Sequence, residues 1–315
     1  MTDVERGASS GIDGRWLLPA SLAYLAIVFG VMLVRGIEIE PEWVVLALLV
    51  IALALGRGKQ FIWDWTPFLL LFFAYEVMRG FASKLTTPPH SVAGLDRFLT
   101  GGSLPTVDLQ RALYHQSAIA PWDWVAIGFY SLHFALPLVV GFYFWQHSRD
   151  HYWRFVSALL LMCLLAFVTY LLWPSSPPWY DFPHQVHKVM NETVVKWGVD
   201  YYQSPIYSAL GRLDPNQFAA FPSLHAAFPA LATIYAWRRY RRLGLLLALY
   251  TACVWLSIVY LGEHYVVDAP AGFIYAGVAT ALVEIISRRR SRPSRTSSDR
   301  HIDPVLSPPG IGRSG

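Results

Sequence analysis

Two short polar stretches interrupt the apolar C-terminal half of the chain, and each contains one histidine. Residues 221–229 read Phe-Pro-Ser-Leu-His-Ala-Ala-Phe-Pro and include His225, while residues 262–268 read Gly-Glu-His-Tyr-Val-Val-Asp and include His264. Asp268 follows His264 by four residues, a spacing that places two side chains on one face of a helix within hydrogen-bonding reach. A carboxylate there fixes the imidazole tautomer and stabilises the imidazolium that forms when the other ring nitrogen attacks an electrophile. The pattern therefore predicts a nucleophilic imidazole.

The beginning of the same helix favours an anionic substrate. Its first turn offers free backbone N–H groups and the positive end of the helix dipole, which attract a group such as phosphate. The same His, Asp and Glu side chains are also of metal-ligand type, so a metal-dependent hydrolase is an alternative. Neither of the two stretches contains a close pair of ligands such as His-x3-His, and we expect no metal or cofactor.

A helical hairpin must bring the two histidines together. The chain passes from His225 through one apolar run, turns at the arginines at 238, 239, 241 and 242, and returns through a second run to His264. Two antiparallel helices that cross the same bilayer begin and end at the same two depths. The hairpin therefore predicts that the two imidazoles meet at one membrane surface.

The composition places these helices in a membrane. The 315 residues are 55% hydrophobic and 15% charged, whereas soluble domains carry about 25% charged residues. About 20 apolar residues cross a bilayer, and we predict an all-α, polytopic membrane helix bundle of about eight transmembrane helices. The predicted spans are Trp16–Val34, Trp43–Leu55, Phe61–Phe81, Trp122–Trp145, Tyr152–Trp173, Phe221–Trp237, Leu243–Leu261 and Tyr265–Ile286.

The basic residues predict the orientation. With a cytoplasmic N-terminus, every short inner connection carries Lys or Arg, as the positive-inside rule requires, and both termini are cytoplasmic. The net charge of +4 thus belongs to membrane flanks, and no nucleic-acid partner is expected. Two long loops, at about 82–121 and 174–220, then lie outside as an aromatic-rich cap, with the active site on the extracytoplasmic side of a plasma or inner membrane.

Residues 221–226 and 263–268 resemble the second and third motifs of the type 2 phosphatidic acid phosphatase (PAP2) superfamily. They are most similar to its inositol-phosphorylceramide-synthase-like branch, as is Pro-Pro-Trp-Tyr at 177–180, and the resemblance extends over about residues 173–277. It implies a six-helix core in which His264 becomes phosphorylated, Asp268 orients it, and His225 protonates the leaving group.

The resemblance also divides the chain. We expect a cytoplasmic N-terminus at 1–15, two accessory transmembrane helices at 16–60 and a PAP2-like catalytic domain at 61–287. The remaining residues, 288–315, are rich in Ser, Pro and Arg and are expected to form a disordered cytoplasmic tail.

The chain departs from the superfamily pattern where phosphate is bound. Leu224 replaces a motif glycine, Ile258 stands where an arginine is usual, and the first motif, Lys-x6-Arg-Pro, is absent. Substitutes for binding the substrate phosphate are Ser223, Arg79, Lys84 and Arg212. Arg79 is equally well explained by an ion pair with Glu76, one helical turn away.

These observations predict an integral-membrane phosphotransferase with a phosphohistidine intermediate. Its substrate is a phospholipid or a polyprenyl-phosphate-type lipid, and its acceptor is a hydroxyl group, on a lipid, inositol or sugar. A lipid-phosphate phosphatase that uses water is the first alternative. A transporter or flippase with Asp64, Glu76 and Arg79 along its pathway is the second. His133, an isolated histidine within the fourth predicted span, is interpreted as a hydrogen-bonded packing residue.

Overall fold

The computed structural model describes residues 41–82, 88–133, 135–196, 216 and 218–290. The protein is all-α, and within these ranges it has 12 helices. They are α1 (Pro41–Ala54), α2 (Gly58–Ala82), α3 (Ala93–Leu99), α4 (Pro105–Leu113), α5 (Pro121–Ser131), α6 (Ala135–His147), α7 (Arg149–Leu172), α8 (Pro178–Asp181), α9 (Val189–Lys196), α10 (Leu224–Arg239), α11 (Arg241–Tyr260) and α12 (Asp268–Arg290). The first predicted span and the tail from residue 291 lie outside the described residues.

The protein is a multi-pass membrane protein with three to four candidate spans among the described residues. Helices α7, α11 and α12 are long and apolar enough to cross a bilayer, and α5 with α6 forms a fourth span if the bent pair is counted as one. The predicted spans at 43–55, 61–81 and 221–237 are present as helices α1, α2 and α10. Of these, α1 has 14 residues and α10 has 16, fewer than the about 20 that cross a bilayer.

The predicted fourth span is not one continuous helix. Helices α5 and α6 are bent by 51° relative to each other. The break lies between Ser131 and Ala135, and His133 is part of it. Pro137, in the first turn of α6, has no N–H for the carbonyl of His133, and its ring clashes with that carbonyl in a regular helix. The proline thus explains why the helix is interrupted, and the interruption turns His133 out of the regular helical path.

Helix α10 lies at the centre of the bundle and packs against α6, α7, α11 and α12. Its buried surface is dominated by small side chains, which allow neighbouring helices to approach closely. They are Ala226, Ala227, Ala230, Ala232 and Ala236. The hairpin predicted from the arginine turn is therefore the core of the bundle.

An ion pair of the buried Asp64 lies at the end of the bundle opposite the two histidine motifs. Asp64 of α2 is paired with Arg149 at the beginning of α7, and it also accepts a hydrogen bond of 2.7 Å from the Trp145 indole N–H. The guanidinium of Arg57 lies 4.1 Å from the centre of the same indole. Asp64 therefore links three helical segments, which does not favour its role in a transport pathway.

Candidate active site

His225 and His264 reach the site from two different kinds of backbone. Helix α10 begins at Leu224, with the Ser223 hydroxyl capping it by accepting the Ala226 N–H at 3.3 Å, so His225 lies in its first turn. His264 was expected on the last helix, but this was wrong, because α12 begins only at Asp268. His264 lies in the turn between α11 and α12.

The three predicted side chains form one hydrogen-bonded chain. The His225 Nδ1 and His264 Nε2 atoms are 3.0 Å apart, and His264 Nδ1 is 3.1 Å from Asp268 Oδ2. Because a carboxylate accepts, His264 Nδ1 carries the proton, and its Nε2 lone pair accepts the N–H of His225. His264 is 4% exposed and Asp268 is fully buried. In this tautomer Nε2 is the nucleophilic atom of His264, because it carries the lone pair.

The backbone around Asp268 is held without a regular helical turn. Asp268 Oδ2 also accepts the N–H of Tyr265 at 2.9 Å, and the Asp268 N–H donates to the Tyr265 carbonyl at 3.2 Å. The Ser223 N–H donates to the carbonyl of Asp268 at 3.3 Å. The two motifs are thus joined through their main chains as well as through their histidines.

The beginning of α12 is capped by a carboxylate from the first outer loop. Asp96 of α3 is fully buried, and its Oδ1 accepts the N–H of Val267 at 3.0 Å. Burial raises the pKa of Asp96, against the opposite effect of its bonds to the N–H groups of Val267 and Val266. The expectation that the N–H groups here are free for phosphate is therefore wrong for Val267, since a protein carboxylate occupies that place.

The described parts of the two long loops form a structured cap over the turn that carries His264. The Tyr265 hydroxyl donates to Asp181 Oδ2 at 2.5 Å, and the Trp179 indole N–H donates to Glu263 Oε2 at 3.2 Å. Lys188 lies 3.8 Å from the centre of the Trp179 ring. Burial raises the pKa of Glu263, while the charge of Lys188 and the hydrogen bond from Trp179 lower it. The Pro-Pro-Trp-Tyr segment thus contacts the residue next to His264.

A buried glutamine ties the cap to the same turn. Gln110 of α4 donates to the carbonyls of His187 and Tyr260, at 3.0 and 2.8 Å, and accepts the His187 N–H at 2.7 Å. Gly262 has a φ of +84°, and a Cβ there would lie 2.6 Å from the His187 carbonyl oxygen. Glycine is required at this position because both the backbone angle and the close approach exclude a side chain.

Of the residues predicted to bind phosphate, the structure describes the side chain of Ser223 alone. Ser223 lies in the site, fully buried, with its hydroxyl oxygen engaged in capping α10. Arg79 is part of α2, but its side chain lies outside what the structure describes, and Lys84 and Arg212 lie outside the described residues altogether. Their role in phosphate binding stays a prediction.

Two aromatic rings next to His225 were not recognised as site residues from the sequence. The ring of Tyr130 stacks on His225, with centroids 4.4 Å apart and an angle of 22°. The ring of His133, which is 1% exposed, has its centroid 4.0 Å from that of His225. His133 is buried as expected, but it packs against a site residue. Only the break between α5 and α6 could have indicated this.

Residues 95–282, more than half of the chain, match the PAP2 superfamily, and the chain belongs to this family. It is therefore a PAP2-type enzyme, a membrane phosphotransferase of lipid metabolism. Among its relatives is the phosphoinositol dihydroceramide synthase of Bacteroides thetaiotaomicron, 28% identical over 69% of this chain and 73% of the relative. The inositol phosphorylceramide synthase of Candida albicans is 26% identical over 47% of this chain and 32% of that protein. No solved structure matches the chain significantly.

Proposed function

We propose that the protein transfers an inositol-phosphoryl headgroup from a phospholipid to the hydroxyl group of a ceramide-type lipid, through a phosphohistidine at His264. The observation that carries this proposal is the chain of hydrogen bonds of 3.0 and 3.1 Å through His225, His264 and Asp268. A nucleophile, a proton donor and an orienting carboxylate are the groups that such a double displacement requires. The choice of substrates follows the names of the two relatives.

In the first step, Nε2 of His264 attacks the phosphorus atom of the donor. The bond from phosphorus to the diacylglycerol oxygen breaks, and His225, which enters this step as an imidazolium, gives a proton to that oxygen and becomes neutral. Asp268 stabilises the positive charge that develops on His264. Since His225 donates to the same Nε2 atom in the structure, the bound phosphate group must take the place of His264 as the partner of His225.

In the second step, the hydroxyl group of the acceptor attacks the phosphorus of the phosphohistidine. His225, now neutral, takes the hydroxyl proton, and the bond between phosphorus and Nε2 of His264 breaks. The products are an inositol phosphodiester of the acceptor and free enzyme with both histidines in their starting state. A transferase must keep water from this intermediate, and we assign that task to the cap around Trp179.

The nonbridging oxygens of the phosphate need positive charge or N–H donors in both steps. We keep Arg79, Lys84 and Arg212 as candidate cations and Ser223 as a candidate hydrogen-bonding partner. The superfamily that the motifs resemble also contains phosphatases, so transfer of the phosphoryl group to water is the competing reaction. Whether the rate of headgroup release depends on the acceptor decides between transfer and hydrolysis.

The test uses purified full-length protein with a phosphatidylinositol donor labelled in its headgroup, with and without ceramide. We expect a labelled ceramide product and a quenched phosphoenzyme whose linkage is stable in base and labile in acid, as a P–N bond is. His264→Ala should abolish both signals. His184→Ala, an exposed histidine of the cap, is the matched control and should retain them. Headgroup release that no acceptor alters would contradict transfer, and full turnover by His264→Ala would contradict the phosphohistidine.

A further inference from the structure

We propose that His133 is a positioning residue of the active site, which together with Tyr130 holds the His225 ring in the orientation needed for proton transfer. This inference rests on the proposed function, because it assigns His133 a part in the leaving-group protonation. It is carried by the two ring contacts of His225, at 4.0 Å from His133 and 4.4 Å from Tyr130 between centroids.

His133 is itself held in place by the broken helix. Its Nδ1 is hydrogen-bonded to the carbonyl of Tyr130, and its backbone N–H donates to the same carbonyl at 3.2 Å. Because a carbonyl only accepts, Nδ1 carries the hydrogen, which fixes the ring orientation of His133. The ring of Phe228 packs nearly parallel to His133, at an angle of 12° and a centroid distance of 6.2 Å. Tyr130 and His133 are therefore joined as one rigid unit.

Contact with Tyr130 and His133 restricts rotation of the His225 ring, which would move its N–H away from the leaving oxygen. General acid catalysis requires the donor N–H to lie within hydrogen-bond reach of the leaving oxygen, and small misplacements of reacting groups cost large factors in rate. The His225 ring contacts both Tyr130 and His133, whose own ring centroids are 5.5 Å apart, and these contacts hinder its rotation when the substrate displaces its partner, His264. His133 forms no bond to the substrate and exchanges no proton with it in this scheme, so it acts through His225.

A buried imidazole is a costly choice for packing alone. An apolar ring of the same size fills space without needing a hydrogen-bond partner, and polar side chains within membrane spans are rare for that reason. The break caused by Pro137 supplies the partner, the Tyr130 carbonyl, and places the ring against His225. The positioning of His225 thus explains both the polar ring of His133 and the break between α5 and α6.

The test compares two inositol phosphodiester donors, one with the lipid alkoxide as leaving group and one with p-nitrophenolate. Protonation matters for the alkoxide and hardly at all for the nitrophenolate, which leaves as an anion. We expect His133→Phe, which keeps a ring but removes its nitrogens, to lower kcat for the lipid donor by about 10- to 100-fold. The kcat for the nitrophenyl donor should fall less than about threefold, and KM should change little for both, since a positioning defect in the acid affects only the step that needs the proton.

His147→Phe is the matched control. His147 lies at the far end of α6, also has its Nδ1 bonded to a tyrosine carbonyl (Tyr143, 2.7 Å), and also stacks on that tyrosine at 4.2 Å. It shares the local contacts of His133 without its neighbour His225, and its substitution should leave both donors unaffected. If His133→Phe fails to fold, Tyr130→Leu removes the other ring contact of His225 and should show the same selective loss.

Equal losses on both donors, or no loss on either, would overturn the inference while leaving the proposed function intact. The proposed function itself fails under a different result, namely turnover of both donors by His264→Ala. The two failures are therefore distinguishable in one set of assays.

Discussion

At the scale of single residues, Asp268 accepts more hydrogen bonds than the spacing from His264 alone predicts. One of its oxygens, Oδ2, accepts from both the His264 ring and the Tyr265 backbone. The other, Oδ1, is buried and has no hydrogen-bond partner among the described residues. A buried carboxylate oxygen without a hydrogen-bond donor carries negative charge that nothing balances. A positive charge on the His264 ring balances it. This supports the proposed stabilisation of an imidazolium.

Asp96 gives a prediction on the pH dependence of stability. Burial raises the pKa of Asp96, so the folded protein keeps the proton of this group up to a higher pH than the unfolded chain does. A group with a raised pKa contributes stability below its unfolded value, about 3.9, and that contribution is lost as the pH rises through the folded value. We expect the Tm of the wild type to fall, relative to that of Asp96→Asn, as the pH is raised from 4 towards 8, because the amide keeps an acceptor for Val267 without the charge.

The measurement is the Tm of both proteins in detergent across this pH range. Asp108→Asn is the control, since Asp108 lies in the next outer helix, α4, and is exposed. A Tm difference that does not depend on pH would contradict the assigned cause.

At the scale of elements, glycines decide how closely the helices of the site approach. Gly244 of α11 lies where a Cβ would be 2.8 Å from the Trp237 Cα, so the turn between α10 and α11 can be tight. Gly272 of α12 lies where a Cβ would be 2.4 Å from the carbonyl oxygen of Ser223. The beginning of α12 thus packs directly on the main chain that leads to His225.

Two glycines of α12 provide a matched pair of substitutions. Gly272→Ala forces α12 away from the Ser223 backbone, and we expect a loss of about 1–3 kcal/mol in stability with a loss of transfer activity. Gly277→Ala meets no atom within 4 Å and should be stabilising by about 0.5–1 kcal/mol, because alanine favours a helix. Thermal unfolding and transfer assays on both variants check this. A Gly272→Ala protein as stable and active as Gly277→Ala would show that the close approach is not needed.

At the scale of the whole molecule, a cluster of arginines lies at one end of the bundle and the histidine pair at the other. Glu284 of α12 joins Arg154 and Arg238, each at 3.2 Å, and thereby ties α7 and α10 to α12 at the arginine-rich end. The cap and the two histidine motifs lie at the opposite ends of the same helices. This polarity agrees with basic connections in the cytoplasm, so we propose that the active site faces away from it.

The orientation is tested with single cysteines in a protein whose own two cysteines, Cys163 and Cys253, are replaced by alanine. His184→Cys in the cap and Arg242→Cys in the arginine turn are both at exposed positions. We expect a membrane-impermeant maleimide to label the first in intact cells, and the second only after the membrane is permeabilised, because the positive-inside rule keeps the arginines in the cytoplasm. The reverse labelling pattern would contradict the orientation, and the cysteine-free protein is the control for background.

The sequence by itself determined the membrane class, the family and the meeting of His225 with His264. Apolar composition and short motifs indicate these directly, and two antiparallel helices joined by a short turn leave little freedom in where their other ends meet. It did not determine that His264 precedes the helix, since helix boundaries depend on capping contacts such as those of Asp96 and Asp268. Only the tertiary structure placed Asp96 at the start of α12, 171 residues away in sequence from the N–H it caps, and His133 beside His225. Neither contact has a local pattern, because each arises from the packing of separate helices.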